Sequence, residues 1–318
     1  MIRRYWNMWE YAWFNASKPD GLGLFRICFF ALILLYLFNH GSLASSAWSD
    51  VDLVFWMPIP LFEVFHLPVF STPILEILNW ILYASIFLSC IGLFTRYSTI
   101  AALLTSLYLM GLPFNFFGKT DHGETLMVII IGVLAFSHCG DAWSLDRLLR
   151  NVRGKDFDCT EREINGEYTW PIQIGRVTYT LVFFAAGYSK LKASGLEWIF
   201  SDTISNNFIL HFYVGPMPVD WGLYIAQIGW LCQLIAAGTI IIETGAPLAL
   251  LHRYLALFFI TNILLMQIGI GFLMGMFFWG LFICYIVWLP WDRISEWIEG
   301  ILPTASHERF NHNNSPVA

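Results

Sequence analysis

Eight runs of roughly 20 apolar residues constrain this chain more than any other feature, since a helix needs about that many to cross a bilayer. They lie at about 21–39, 74–94, 98–116, 122–139, 172–191, 222–250, 254–271 and 273–289. Inside hydrocarbon, every backbone N–H and C=O must be satisfied within its own segment, which selects helices. Charged residues make up only 13% of the 318-residue chain and hydrophobic residues 57%. An ordinary soluble domain is about 25% charged. Fifteen Trp, 13 Tyr and 28 Phe suit aromatic belts at two interfaces. The expected fold is therefore all-α: a polytopic helical membrane protein with about eight transmembrane helices. The last two runs join around Gly271 to Gly275, where a seven-span reading is the alternative.

Basic residues set the expected orientation. With the N-terminus inside, Arg3, Arg4, Lys18, Arg96, Arg147, Arg150, Arg153, Lys155, Arg162, Arg176, Arg253, Arg293 and Arg309 all fall inside. Lys119, Lys190 and Lys192 fall outside, and Arg26 lies within the first run. The positive-inside rule then makes both termini cytoplasmic. Three regions follow. Residues 1–20 are expected to form an interfacial helix, and residues 21–290 the transmembrane domain, with a cytoplasmic loop at 140–171. Residues 291–318 are expected to be a cytoplasmic tail, polar and partly disordered toward its end. Two outer segments, 41–73 and 192–221, are too rich in Trp and Phe for free loops. They are expected to fold as short interfacial helices on the outer side.

Composition also excludes classes. No basic stripe or nucleic-acid motif appears. The six cysteines show neither CxxC nor Cys/His spacing, so no metal site is expected. Transport is disfavoured, because Gly245 and Pro247 interrupt one span without a counterpart in another.

The polar residues left near the outer ends fall in two places. One is Asn115, Lys119, Asp121, His122 and Glu124; the other is Lys190 to Glu197. Lys190 and His122 are thereby placed at one depth. A lysine against hydrocarbon has its charged form disfavoured, which is what a neutral amine base requires. The plainer reading is that Lys190 snorkels to the headgroups and His122 caps a helix. His211, Asn206, Asn207 and Asp202 line either a pocket mouth or an interfacial polar face. Arg26 lies roughly 9 Å and Glu243 roughly 15 Å from the inner face at 1.5 Å per residue. Opposite charges at similar depth are read as a structural ion pair, with a proton path or substrate contact as the other reading.

Several short segments resemble a known family. Ala186-Gly187-Tyr188-Ser189-Lys190-Leu191 followed by Trp198 resembles the AG-x-x-KL…W segment of the vitamin K-dependent gamma-carboxylase. The segment recurs in its bacterial relatives, the horizontally transferred transmembrane (HTTM) family. Asp121-His122 resembles an Asn-His pair there. Pro19 to Ile27, Ser144-Leu145-Asp146 and Glu243 to Pro247 resemble further motifs in the same order. The resemblance implies Lys190 as catalytic base, with His122 functional beside it. Asp121, Asn115, Trp198 and His211 are then candidates for substrate or quinone binding. It also implies a reduced quinone of vitamin K or menaquinone type, O2 and CO2, and no metal. The chemistry implied is carboxylation coupled to epoxidation, in a bacterial cytoplasmic (inner) membrane. The family's large lumenal substrate domain has no counterpart here. A small exported peptide or a lipid is then the expected acceptor. A non-catalytic quinone- or lipid-binding protein, or a peptide-maturation or immunity partner, is the alternative.

Overall fold

The computed structural model describes residues 13–39, 46–118, 122–152 and 165–301. The expected interfacial helix at 1–20 lies largely outside these, as do Asp121, Lys119 and residues 302–318. Among the described residues the chain is helical, and its one β-contact is an isolated bridge between Ser17 and Asn165.

Twelve helices carry the argument. They are α1 (Pro19–Asn39), α2 (Thr72–Ile91), α3 (Thr95–Leu109), α4 (His122–Phe136), α5 (Leu145–Val152) and α6 (Trp170–Ser194). Then come α7 (Thr203–Val214), α8 (Asp220–Ala226), α9 (Gly229–Gly245), α10 (Arg253–Met274), α11 (Trp279–Cys284) and α12 (Trp291–Ile301). Local chemistry sets their ends. Pro73 and Pro171 occupy first-turn positions of α2 and α6, where a missing N–H costs nothing. Gly92 and Gly275 close α2 and α10 at φ of 70° and 67°, a conformation that glycine adopts freely.

Helix lies within all eight expected runs. Among the described residues, five segments are long and apolar enough to span a membrane: Pro19–Asn39, Thr72–Ile91, Thr95–Phe117, Gly229–Leu250 and Arg253–Met274. Helix α6 is 25 residues long but carries Arg176, Lys190 and Lys192. The run at 273–289 is the clearest departure. Its α-helix covers six residues and a 3-10 turn, Tyr285–Trp288, four more. That reaches roughly 17 Å, against about 30 Å of hydrocarbon. Gly280 lies so close to Gly123 that an added Cβ would fall 2.6 Å from its carbonyl carbon, so this short segment plugs against α4.

The surface is inside-out relative to a soluble protein. Trp80 is 77% exposed, Leu257 68% and Ile241 61%, each on a long apolar helix. Such side chains face lipid at no cost. Meanwhile α1 runs through the middle, with Phe25, Phe29, Phe30, Ile33 and Leu37 fully buried. Since lipid is as apolar as leucine, close packing and internal hydrogen bonds hold this core together.

One end of the bundle is tied by polar side chains. Arg26 donates from Nη1 to Ser89 O at 2.7 Å and from Nη2 to Trp143 O at 2.6 Å. Ser89 lies in the last turn of α2, where carbonyls lack helical partners and carry partial negative charge. Asp146 accepts from Phe94 N at 2.8 Å, Thr95 N at 2.7 Å and Thr95 Oγ1 at 2.8 Å, so it caps α3 from outside. Asp146→Ala is expected to cost about 1–2 kcal/mol, as loss of a strong cap does. A thermal midpoint in detergent that matches wild type would refute the cap.

At the other end, residues 46–70 fold as short helical turns over α3. Trp48 stacks on Phe116 at 5.5 Å, and Trp56 meets the same ring edge-on at 5.2 Å. Tyr108 OH donates to Pro68 O at 2.8 Å and accepts from Phe70 N at 3.1 Å. The expected tail is also more structured than its composition suggested. Residues 291–301 form α12, packed on α1 with Trp291 and Ser295 buried.

Candidate active site

The site is built where α6 and α9 touch. Gly187 faces α9 so closely that an added Cβ would lie 2.9 Å from Glu243 Cβ and 3.0 Å from Thr244 N. Only a hydrogen fits there. Lys190 follows three residues later, on the same helical face. Its Nζ donates to Glu243 Oε1 and Oε2, each at 2.5 Å. The lysine side chain is 27% exposed and the glutamate 7%. The two motifs noted in the sequence, around Gly187-x-x-Lys190 and Glu243-x-x-x-Pro247, are therefore one contact in space.

Trp198 completes the corner. After Gly195 turns the chain, its ring lies with its centroid 5.4 Å from Lys190 Nζ, in cation–π geometry. His122 opens α4 on an exposed position, close enough to act electrostatically on Glu243. Beside it, Glu124 accepts a 2.6 Å bond from Tyr36 of α1. A base candidate, a carboxylate and a flat aromatic face thus converge from α6, α9 and the turn Glu197–Phe200.

No family model, curated protein or solved structure matches this chain. The site must therefore be judged on its own geometry.

That geometry corrects two expectations. Glu243 pairs with Lys190 and not with Arg26, whose terminal nitrogens are held by the carbonyls of Ser89 and Trp143. Similar depth was not enough to pair them: α9 packs along α6 and not against α1, so Glu243 faces Lys190. Backbone carbonyls were also overlooked as partners for a buried guanidinium. Asn115 is the second correction. Buried at 0% exposure, it spends its amide inside the fold: Oδ1 accepts from Ile59 N, and Nδ2 donates to Gly111 O and Leu112 O. It anchors the 46–70 segment and offers nothing to a ligand.

His211 sits on α7, half-buried, and does not appear among the described contacts of Lys190 or Glu243. Asp121 lies outside the described residues. Sequence reasoning missed Glu243 as the lysine's partner, although a signal existed. A glycine three residues before the lysine marks the face along which a neighbouring helix can approach.

Among the described residues no group of His, Cys, Asp and Glu is arranged to hold a metal. The corner around Lys190 offers features that suit a flat, hydroxyl-bearing ring. The amine is partly exposed, a flat tryptophan face lies beside it, and the carboxylate behind it can take a proton. Those are features a quinol ring and hydroxyl would use.

Proposed function

We propose that the chain is an integral membrane enzyme resembling the vitamin K-dependent gamma-carboxylase, with Lys190 as its base. The observation that carries this is the Lys190–Glu243 contact beside Trp198, with the carboxylate buried and the amine partly exposed at the end of α6. A reduced quinone bound there would supply, with O2, the strong base that makes an acceptor carbon reactive toward CO2. The protein's own part is proton handling and orientation. Glu243 receives a proton from the Lys190 ammonium and leaves a neutral amine. That amine takes the proton of a hydroxyl presented to it, and Trp198 offers a flat wall against which a ring is oriented. His122 stands where it can hydrogen-bond an oxygen of the ligand or acceptor. The acceptor in this reading is a small exported peptide or a lipid.

The test is turnover. Full-length protein in lipid nanodiscs is given reduced menaquinone, O2, labelled bicarbonate and glutamate-containing peptides. Quinol-dependent label fixation or quinone epoxide supports the reading; neither product, from folded protein with saturating quinol, overturns it.

The pair's mutual bonds also fit a purely structural link between α6 and α9. Under that reading the chain is a non-catalytic quinone- or lipid-binding protein, or a maturation or immunity partner. The assay separates the two.

The proposed location is a bacterial cytoplasmic membrane, with the Arg26 end and both termini facing the cytoplasm and Lys190 toward the outer side. Thirteen basic residues on one side and three on the other support this. A cysteine at position 155 is expected to resist an impermeant reagent in intact cells. Labelling from outside would reverse the orientation.

A further inference from the structure

A cavity lies at the Arg26 end, between α6, the start of α10 and the segment leading into α12. Its volume is about 980 Å³. Three arginines line it: Arg176, Arg253 and Arg293. Among the described residues none of the three has a carboxylate within ion-pair distance, since the pairs found there involve other cations. Arg176 is half-buried and oriented from behind. Its Nε donates to Val287 O at 2.9 Å and its guanidinium lies 5.5 Å from the Trp288 ring. That leaves its two terminal nitrogens without a described hydrogen-bond partner. Arg253 lies over the Tyr254 ring at 4.8 Å and donates from Nη2 to the Tyr254 hydroxyl at 2.9 Å.

The opposing charge nearby is Asp292, which acts on Arg176 from the adjoining cleft. Glu296 and Glu299 line that cleft and not this cavity; the three arginines line both, and Lys18 adds a fourth cation in the cleft. The cavity's other wall is apolar. Leu251, just before α10, and Leu257 on it continue that wall onto the exposed surface, while Ile260 lies at its buried end.

We propose that this cavity binds the headgroup of an anionic glycerophospholipid. Its phosphate is taken by Arg176, Arg253 and Arg293, and an acyl chain lies along Leu251 and Leu257. Guanidinium forks match phosphate oxygens in geometry as well as charge. The apolar wall running out along a lipid-facing helix favours an amphiphile over a free anion. The proposal is independent of the chemistry at Lys190.

Native mass spectrometry of the full chain in detergent tests it, with phosphatidylglycerol, phosphatidylcholine of the same acyl chains, and inorganic phosphate as probes. One phosphatidylglycerol is expected to be retained about tenfold more tightly than phosphatidylcholine, a modest preference for several arginines near one phosphate. Arg253→Gln and Arg293→Gln, both at exposed positions, should each reduce that preference. Arg96→Gln, at the same end but outside the cavity, should not. Arg176→Gln should reduce it further, and the two exposed variants keep the test valid if Arg176→Gln does not fold. Equal retention of the two lipids, or equal loss in Arg96→Gln, would overturn the proposal. Displacement of phosphatidylglycerol by inorganic phosphate alone would assign the cavity to a free anion and overturn the lipid.

Discussion

Lys190→Arg is expected to abolish quinol-dependent turnover while the helices stay packed. Arginine keeps the positive charge, so Glu243 keeps a partner and the contact between α6 and α9 is preserved. A guanidinium does not deprotonate in proteins and supplies no neutral amine. Loss of a positioned base typically costs 10²–10⁴-fold, so a fall of at least about 100-fold is expected. The thermal midpoint should stay within a few degrees of wild type. Full activity in Lys190→Arg would remove the lysine from the chemistry. Lys190→Ala is a poorer probe, because it removes the base and also leaves Glu243 buried without its partner. Its loss of activity would mix two causes.

The second large effect concerns stability. Lys190→Met is expected to destabilise the fold by about 3–5 kcal/mol, the usual result of stranding one member of a buried ion pair. Glu243→Gln should fall at the lower end, about 3 kcal/mol, since Lys190 is 27% exposed and can turn its ammonium toward water. The double variant should recover most of either loss, because a pair replaced together leaves no stranded charge. Chemical unfolding in mixed micelles measures the cycle. If the two single losses simply add in the double variant, the residues are not coupled and the contact contributes nothing.

What the sequence revealed depended on the distance over which each inference had to hold. Helix and membrane character were legible because apolar runs are local. The meeting of Lys190 and Trp198 was legible because both sit at the chain reversal that ends α6. Glu243 was paired with the wrong residue because depth along a span is readable from sequence, whereas which helix lies beside which is not; α9 packs on α6 and not on α1. Asn115 looked like a ligand group because it sits in a polar cluster; only the fold shows that Ile59 N uses its oxygen. The run at 273–289 was apolar enough to span, but apolar character alone does not reveal that, beyond the end of α10, only ten of its residues are helical as it passes from Gly123 toward Arg176.

The Arg26 clamp constrains how this protein is made. Its two acceptors lie 63 and 117 residues farther along the chain. Ribosomes add about 5–20 residues per second, so some 6–23 seconds separate synthesis of the arginine from that of its later acceptor. Until Ser89 is made the guanidinium has neither native acceptor, and until Trp143 is made it has one of the two. An arginine within a lone membrane helix costs up to about 3 kcal/mol on insertion scales. Final seating of α1 is therefore expected to follow the emergence of Trp143, which gives the loop after α4 a role in the timing of biogenesis as well as in connection.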